Sequence, residues 1–246
     1  MKKSIIGLFV VTIFSAILLA GCGSKKKETI IVGTEAGFAP YEYMKGNDVV
    51  GIDMDISKAI ADHLGKELEI RNMDFEGALL AVQNGTVDFV AAGVSVDPER
   101  AENMDFSVDY VNSTEVVVVN KDNPTVADLD DLDDKIIGVQ QGNIADFWVE
   151  ENIAYKDVKR YTKFAQAAED LKNGRIDCIV MDQYPAEEMV STNTELVILD
   201  GVLFEDKYAI AVKKGNKELL DDINEVIEQL KKDGKIEEFT ADHTKK

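Results

Sequence analysis

The sequence predicts an α/β protein of two lobes, each built on a mostly parallel sheet flanked by helices. Its 246 residues are long for one compact α/β unit and sufficient for two small ones. Short continuous apolar runs alternate with helical periodicity, which is typical of parallel strands covered on both faces. A helix, an Asn-Gly pair and a buried strand occur twice, at residues 75–93 and 164–182.

The elements follow from the apolar pattern in chain order. Residues 29–33 predict the first strand, and the spacing of apolar residues over 54–64 predicts the first helix. Each of the two repeats predicts a helix that ends at Gly, followed by a short buried strand. The matched positions of Phe, Asn-Gly and Asp favour a duplication. The alternative is that such units simply recur in many α/β proteins. Residues 135–139 predict the strand that opens the second half, and residues 219–230 predict an amphipathic helix between Asn216 and Gly234.

Two further strand-like runs, 115–119 and 207–212, bracket the second half and predict two crossings between the lobes. The second lobe is then an insertion into the first. We expect lobe 1 to comprise residues 29–118 and 206–246, and lobe 2 residues 119–205.

The beginning of the chain has the order of an export signal. Lys2 and Lys3 precede a mostly apolar run over residues 5–20, too short for a typical membrane span, and small residues end it. The string at 19–22, Leu-Ala-Gly-Cys, resembles a bacterial lipobox. We therefore expect a signal peptide over 1–21, a lipid on Cys22, a tether over 22–28, and an extracytoplasmic protein anchored to the outer face of the cell membrane. An ordinary signal peptide or an uncleaved anchor with an incidental Cys is the alternative.

Charge and cysteine content limit the function classes. The formal net charge of −20 predicts repulsion from nucleic acid, so no nucleic-acid partner is expected. Only Cys22 and Cys178 occur, and lipidation of Cys22 leaves no intramolecular disulfide; Cys178 lies in an apolar run and is predicted to be buried. With only two histidines, no Cys/His metal site is expected, and no cofactor motif is present.

Polar residues follow the predicted strands, where ligands bind in open α/β sheets. Arg100 offers a planar fork of donors to a carboxylate, and Asp182 at a strand end neutralises an ammonium group. Ser95 and the Gly93 carbonyl accept further ammonium hydrogens. The amides that follow Asp97-Pro98 and those of Asn143 and Ile144 open predicted helices and favour an anion. Phe38 and Phe75 are predicted to sandwich a ligand side chain, and Gln140 lies in the same set.

Each residue alone also has a structural interpretation. Arg100 fits a surface helix, Asp182 a turn or cap, and the two phenylalanines a core. The functional hypothesis rests on their joint placement, which matches the needs of a free α-amino acid.

The chain resembles the polar amino-acid-binding proteins of bacterial ABC importers. The resemblance covers about residues 29–239 and is carried by 33–35, 38–43, 51–56, 95–100, 105–107, 131–132, 135–140 and Asp182. It implies a Venus-flytrap fold, closure around one free amino acid and delivery to an ABC permease, with a monomer expected. It also implies that Arg100 binds the ligand carboxylate, Asp182 the ammonium, Phe38 and Phe75 the side chain, and Glu35 the distal group, which favours a polar or cationic amino acid.

Three departures from that family stand out. Asp97 replaces a usual Thr, Asn143-Ile144 replaces Thr-Thr after Gly142, and Val108-Asp109 interrupts a Phe-Ser-Asp-Pro-Tyr string. Three alternatives stay open: an enzyme on the same scaffold, similar to cyclohexadienyl dehydratases, an extracellular amino-acid sensor, and a lipoprotein with a structural or adhesive role. The expectation is a binding protein that is not an enzyme.

Overall fold

The computed structural model describes residues 27–244. The first of its two large sheets has the order β5-β1-β6-β14-β7. Its strands are β1 Thr29–Thr34, β5 Glu67–Asn72, β6 Phe89–Val90, β7 Met104–Phe106 and β14 Ala211–Lys213. β1 pairs in parallel with β5 and β6, whereas β14 runs antiparallel to its neighbours.

The second large sheet has the order β10-β9-β11-β8-β12, with β13 also paired to β8. Its strands are β8 Val111–Asn120, β9 Ile136–Gln140, β10 Asp157–Tyr161, β11 Cys178–Asp182, β12 Leu196–Ile198 and β13 Phe204–Tyr208. β9 pairs in parallel with β10 and β11, and β8 is antiparallel to β11, β12 and β13. Both sheets are therefore mixed, because the strands next to each crossing return in the opposite direction.

Helices cover the sheets, and a three-stranded sheet lies beside the first one. The helices are α1 Ile52–His63, α2 Phe75–Asn84, α3 Pro98–Asn103, α4 Ile144–Asn152, α5 Phe164–Lys172, α6 Gln183–Thr192, α7 Lys217–Lys232 and α8 Lys235–Thr244. The small sheet has strands β2 Gly37–Phe38, β3 Glu42–Lys45 and β4 Asp48–Val50. The fold class is thus the predicted two-lobed α/β arrangement.

The predicted repeat is visible as two equivalent units. α2 ends at Gly85 and α5 is followed by Gly174, both with left-handed φ values (72° and 66°). The strand after each pairs in parallel with the strand that opens the same half of the chain, β6 with β1 and β11 with β9. Cys178 in the second of these strands is fully buried, as predicted. The matched sheet orders follow from these two units.

Hydrogen bonding shows where the chain passes between the sheets. All of β8 and β13 pairs within the second sheet, so the chain crosses near residues 107–110 and 208–210.

The lobe bounds at 119 and 205 stay a prediction. The signal peptide 1–21 and the lipid on Cys22 lie outside the described residues and also stay predictions. Over residues 27–244, no helix combines the length and apolarity needed to cross a membrane.

The carboxyl-terminal helices close the first lobe. α7 buries Ile223, Val226 and Ile227 in the core and ends just before Gly234, whose φ is 68°. α8 is tied to the lobe by His243, whose ring nitrogens meet the Tyr43 hydroxyl at 3.0 Å and Asp55 at 2.8 Å. The first lobe is therefore built from both ends of the described chain.

Candidate functional site

Arg100 is set in place by the short helix α3. Asp97 caps this helix, and its carboxylate accepts hydrogen bonds from the amides of Glu99 (2.9 Å) and Arg100 (3.1 Å). The extra acid at residue 97 therefore serves as a helix cap. The prediction that these amides favour a ligand anion is wrong, because Asp97 already occupies them.

The Arg100 guanidinium lies between the lobes and is almost fully buried. Nη1 donates to the Ser95 carbonyl at 2.8 Å, and Nη2 donates to the Gly142 carbonyl of the second lobe at 2.6 Å. Nε is buried and has no hydrogen-bond partner among the described residues. The aromatic rings of Phe75 and Phe147 lie 5.5 and 5.6 Å from the guanidinium carbon, within the range of cation–π attraction. The cation is thus fixed in position by both lobes.

Burial lowers the pKa of Arg100, and the carboxylates of Asp97, Asp206 and Asp182 oppose that effect. A guanidinium keeps its charge in proteins, so its burial requires negative charge nearby. Two of the three acids that supply it, Asp182 and Asp206, belong to strands of the second sheet.

These acids lie on one face of the second sheet, next to the cleft between the lobes. Asp182 at the end of β11 lies directly opposite Glu115 in β8, and Ser113 in β8 lies opposite Asp206 in β13. Directly opposed residues, and residues two apart along one strand, share a face of a sheet. Carboxylate oxygens of Glu115, Asp182 and Asp206 lie within 4.8 Å of one another. We call these three residues the acidic cluster.

Hydroxyl groups complete the acidic cluster. The Tyr208 hydroxyl donates to Asp182, and Ser113 Oγ lies 3.3 Å from the same carboxylate. Ser95 Oγ donates to Asp206 at 2.6 Å. The predicted site residue Ser95 is therefore engaged twice within the protein, through its hydroxyl and its carbonyl.

Burial raises the pKa of every acid in the cluster. The pKa of Asp182 rises to about 6, that of Glu115 rises well above its ordinary value, and that of Asp206 rises as well. In each case loss of hydration is the main cause. Three carboxylates are also a ligand set for hard cations, but the adjacent Arg100 charge opposes a metal ion at this place.

Glu35 lies at another part of the lobe interface. Its Oε2 accepts from Gln140 Nε2 at 3.3 Å, and its Oε1 lies 3.6 Å from Lys163 Nζ; both partners belong to the second half of the chain. Burial raises the pKa of Glu35, and the Lys163 charge partly counteracts the rise. Lys163 was not identified from the sequence.

Phe38 and Phe75 lie in different parts of the core. Phe38 stacks on Phe164 of the other lobe, with ring centroids 6.0 Å apart, whereas Phe75 faces the Arg100 guanidinium. They belong to separate hydrophobic clusters. Their use as a pair around a ligand side chain stays a prediction.

Asn143 and Ile144 begin α4, as predicted. The side-chain oxygen of Asn143 accepts a hydrogen bond from the Ala145 backbone amide at 3.1 Å. The backbone amide of Asn143 donates to the backbone carbonyl of Gln140 at 3.1 Å. The amide of Asn143 is therefore occupied, whereas Ile144, the first residue of the helix, has no intrahelical acceptor for its amide.

Gly93 is positioned by the buried acid Asp53. Asp53 Oδ2 accepts from the Gly93 amide at 2.9 Å, and the Tyr110 hydroxyl donates to Asp53 at 2.8 Å. Gly93 has a φ of 54°, and a Cβ atom there would lie 2.8 Å from Phe38 Cε1. The backbone thus needs glycine at this position to bring Phe38 and the strand end together.

The lobes touch along a line of contacts that includes most of the predicted site. Besides the bonds from Arg100 and Glu35, Gln141 Nε2 donates to Glu76 at 2.6 Å on the exposed rim. A cavity of about 930 Å³ lies beside the crossing strands and is lined by Ser113, Asp206 and residues of both lobes, including Val96 and Tyr184. Within the acidic cluster, Asp206 therefore borders this cavity, whereas Glu115 and Asp182 are buried behind it.

Comparisons with known proteins agree with this architecture. Residues 30–246 match the profile of the bacterial extracellular solute-binding proteins, family 3. The arginine-binding extracellular protein ArtP of Bacillus subtilis is 32% identical over 251 residues, covering 97% of this chain and 96% of ArtP. The L-cystine-binding protein TcyJ of Escherichia coli K12 is 31% identical over 230 residues, covering 90% and 86% of the two chains.

A solved structure shows the same similarity in three dimensions. AbpA of Streptococcus pneumoniae, an amino acid ABC transporter substrate-binding protein bound to L-arginine, superposes with a TM-score of 0.83 at 33% identity, covering 87% of this chain and 94% of that one. All three relatives are binding proteins by name.

Proposed function

Because this chain belongs to the bacterial extracellular solute-binding proteins of family 3, we propose that it is the lipid-anchored substrate-binding protein of an amino-acid ABC importer. It binds one free L-amino acid between its lobes and delivers it to the transmembrane permease. It acts as a monomer and carries out no catalysis.

The approach of Arg100 and Asp182 from the two lobes is the observation that carries this proposal. Arg100 is a buried cation on the first lobe, and Asp182 is a buried acid on the facing sheet that interacts with it electrostatically. A zwitterion supplies a carboxylate for the guanidinium and an ammonium for the acid. Because the ligand contacts both lobes only when they are closed, binding favours the closed form.

The residues around these two groups serve the rest of the ligand. Gly93, Ser95, Asn143 and Ile144 supply backbone or side-chain polar groups near its charged ends, and Phe38 and Phe75 lie against its side chain. Glu35 and Gln140 face the distal end. More acids than cations are buried in this region. The buried cation is Arg100, and the buried acids are Glu35, Glu42, Asp53, Glu115 and Asp182. The favoured ligand is therefore a polar or cationic amino acid.

A two-step binding experiment tests this function. Thermal shift with the twenty amino acids, ornithine and cystine identifies ligands, and titration calorimetry then compares wild type with Arg100→Ala. Leaving a buried charge without its partner costs roughly 3–5 kcal/mol, so we expect at least a hundredfold weaker binding. Arg175→Ala removes an exposed arginine and is the matched control, with unchanged affinity expected. Near-normal binding by Arg100→Ala would refute the assignment.

The lipid anchor rests on the residues around Cys22. Export of the native chain in a bacterial host should place it in the membrane fraction with a fatty acid bound covalently to it, and Cys22→Ala should carry no fatty acid. Equal labelling of the two proteins by a radioactive fatty acid would contradict a lipid on this thiol. A matched Cys178→Ala variant, which alters the buried cysteine, should stay with the membrane.

A further inference from the structure

Glu115 has no role in the proposed zwitterion contacts, yet it is fully buried directly beside Asp182. We propose that Glu115 is a positioning residue for the ligand's ammonium group: it shares one proton with Asp182 in the free protein, and ammonium binding expels that proton. This inference rests on the proposed amino-acid-binding function. It makes ligand binding and proton release one coupled event.

The sheet register brings the two acids together. Glu115 and Asp182 are direct partners in the antiparallel pair of β8 and β11, so their side chains leave the same face side by side. Two like charges directly opposite each other destabilise a sheet, and burial makes the repulsion stronger. Glu115 has no exposed surface, and neither of its carboxylate oxygens has a hydrogen-bond donor among residues 27–244. A proton held between the two carboxyl groups removes the repulsion and supplies the missing donor.

Within residues 27–244, the surroundings supply one cation, Arg100, to the two carboxyl groups, and Asp206 shares it. The titratable and charged groups that interact with it come from β13, α3 and the segment that precedes α1: Asp206, Tyr208, Arg100, Tyr41 and Glu42. Most of these are acids or phenols, and Arg100 is the cation among them. Consistent with a retained proton, burial and Asp182 raise the pKa of Glu115 well above its ordinary range, and the pKa of Asp182 rises to about 6.

The shared proton also orients Asp182. Tyr208 and Ser113 engage Oδ1, and Oδ2 is buried without a hydrogen-bond partner in the part of the chain that the structure describes. A ligand ammonium brings a positive charge and N–H donors to this place. Its charge favours ionisation of both carboxyl groups, so the carboxylic O–H bond breaks and the proton passes to the buffer. Affinity should therefore rise as pH rises through the acidic range, by at most tenfold per pH unit for one proton.

Calorimetry in different buffers measures this proton directly. L-arginine, L-glutamine and L-cystine are each titrated into the chain that starts at residue 23 near pH 7, where an Asp182 carboxyl with a pKa of about 6 holds little of a proton on its own. The titrations are done in phosphate and in imidazole, whose ionisation enthalpies differ. For whichever of these amino acids binds, the slope of observed enthalpy against buffer enthalpy gives the number of protons released. We expect a fraction approaching one proton for wild type and none for Glu115→Gln. Glu205→Gln, an exposed acid on the neighbouring strand, is the matched control and should release as much as wild type.

The outcomes separate the two proposals. Absence of binding by every amino acid in the thermal-shift screen contradicts the proposed function. Binding whose enthalpy is the same in both buffers overturns the role of Glu115 and leaves the function intact. Proton release that persists in Glu115→Gln also overturns it, because the proton then comes from another group. If Glu115→Gln fails to fold, wild-type affinity decides: a Kd that stays constant between about pH 5 and 7 refutes the coupling.

Discussion

Asp53 is a buried carboxylate whose replacement should change the pH dependence of stability in a calculable way. It lies in α1 of the first lobe. Its carboxylate accepts hydrogen bonds from the Gly93 amide and the Tyr110 hydroxyl, and the buried Glu42 is its neighbour. Burial raises its pKa from 3.8 to about 6. Because the folded state holds the proton more tightly than the unfolded chain, this group stabilises the fold below about pH 4, and that contribution is lost as pH rises through about 6.

The size of the effect follows from the two pKa values. They differ by about two pH units, and each unit corresponds to about 1.4 kcal/mol, so the contribution is about 3 kcal/mol. Asn at this position keeps an acceptor for the Gly93 amide but does not titrate. We therefore predict that the difference in unfolding free energy between wild type and Asp53→Asn changes by about 2.4 kcal/mol from pH 7 to pH 4, with wild type gaining as pH falls.

Urea unfolding followed by far-ultraviolet circular dichroism at several pH values measures this difference. Asp48→Asn replaces an exposed aspartate of the first lobe and is the control; its curve should run parallel to that of wild type. If Asp53→Asn also runs parallel to wild type across this range, the argument from burial of Asp53 is refuted.

Three further predictions concern single sites. Gly93→Ala should lower the unfolding free energy by about 1–3 kcal/mol, since φ is 54° and the new Cβ meets Phe38; an unchanged urea midpoint would contradict this. Burial raises the pKa of the Cys178 thiol, so a chain starting at residue 23 should react with a thiol reagent only after unfolding, and rapid native labelling would show the opposite. Lys163→Met should strengthen calorimetric binding of L-arginine up to about fivefold, because Glu35 loses an exposed competing cation worth about 1 kcal/mol at most; weaker binding would count against Glu35 as the distal contact.

Local pattern was sufficient for many elements of the fold. The helix that ends at Gly85 and the strand that buries Cys178 were predicted from apolar spacing and from the positions of glycine, both of which act over a few residues. Arg100 and Asp182 were also found in this way, because charged residues directly after strands mark the ligand edge of an α/β sheet. Their assigned roles in binding stay predictions.

Other parts of the site depend on contacts between distant segments. Lys163 reaches Glu35 only because the lobes meet, and the amides after Asp97 were predicted to favour a ligand anion although the Asp97 side chain occupies them. Nothing in the local sequence around Lys163 distinguishes it from an ordinary surface lysine. The spacing of residues in the sequence does not tell which lobe a lysine faces. It also does not tell whether the side chain of a cap residue accepts hydrogen bonds from the helix amides or leaves them free for a ligand.

The sequence by itself determined the α/β class, the repeated helix-and-strand unit, the burial of Cys178 and the cap positions, because each depends on neighbours within one or two turns of chain. The tertiary structure decided that Glu115, Asp182 and Asp206 form one acidic cluster beside Arg100. These residues come from three strands and a helix far apart in the chain. Their meeting is fixed by hydrogen-bond register and lobe contact, which only the assembled sheets define.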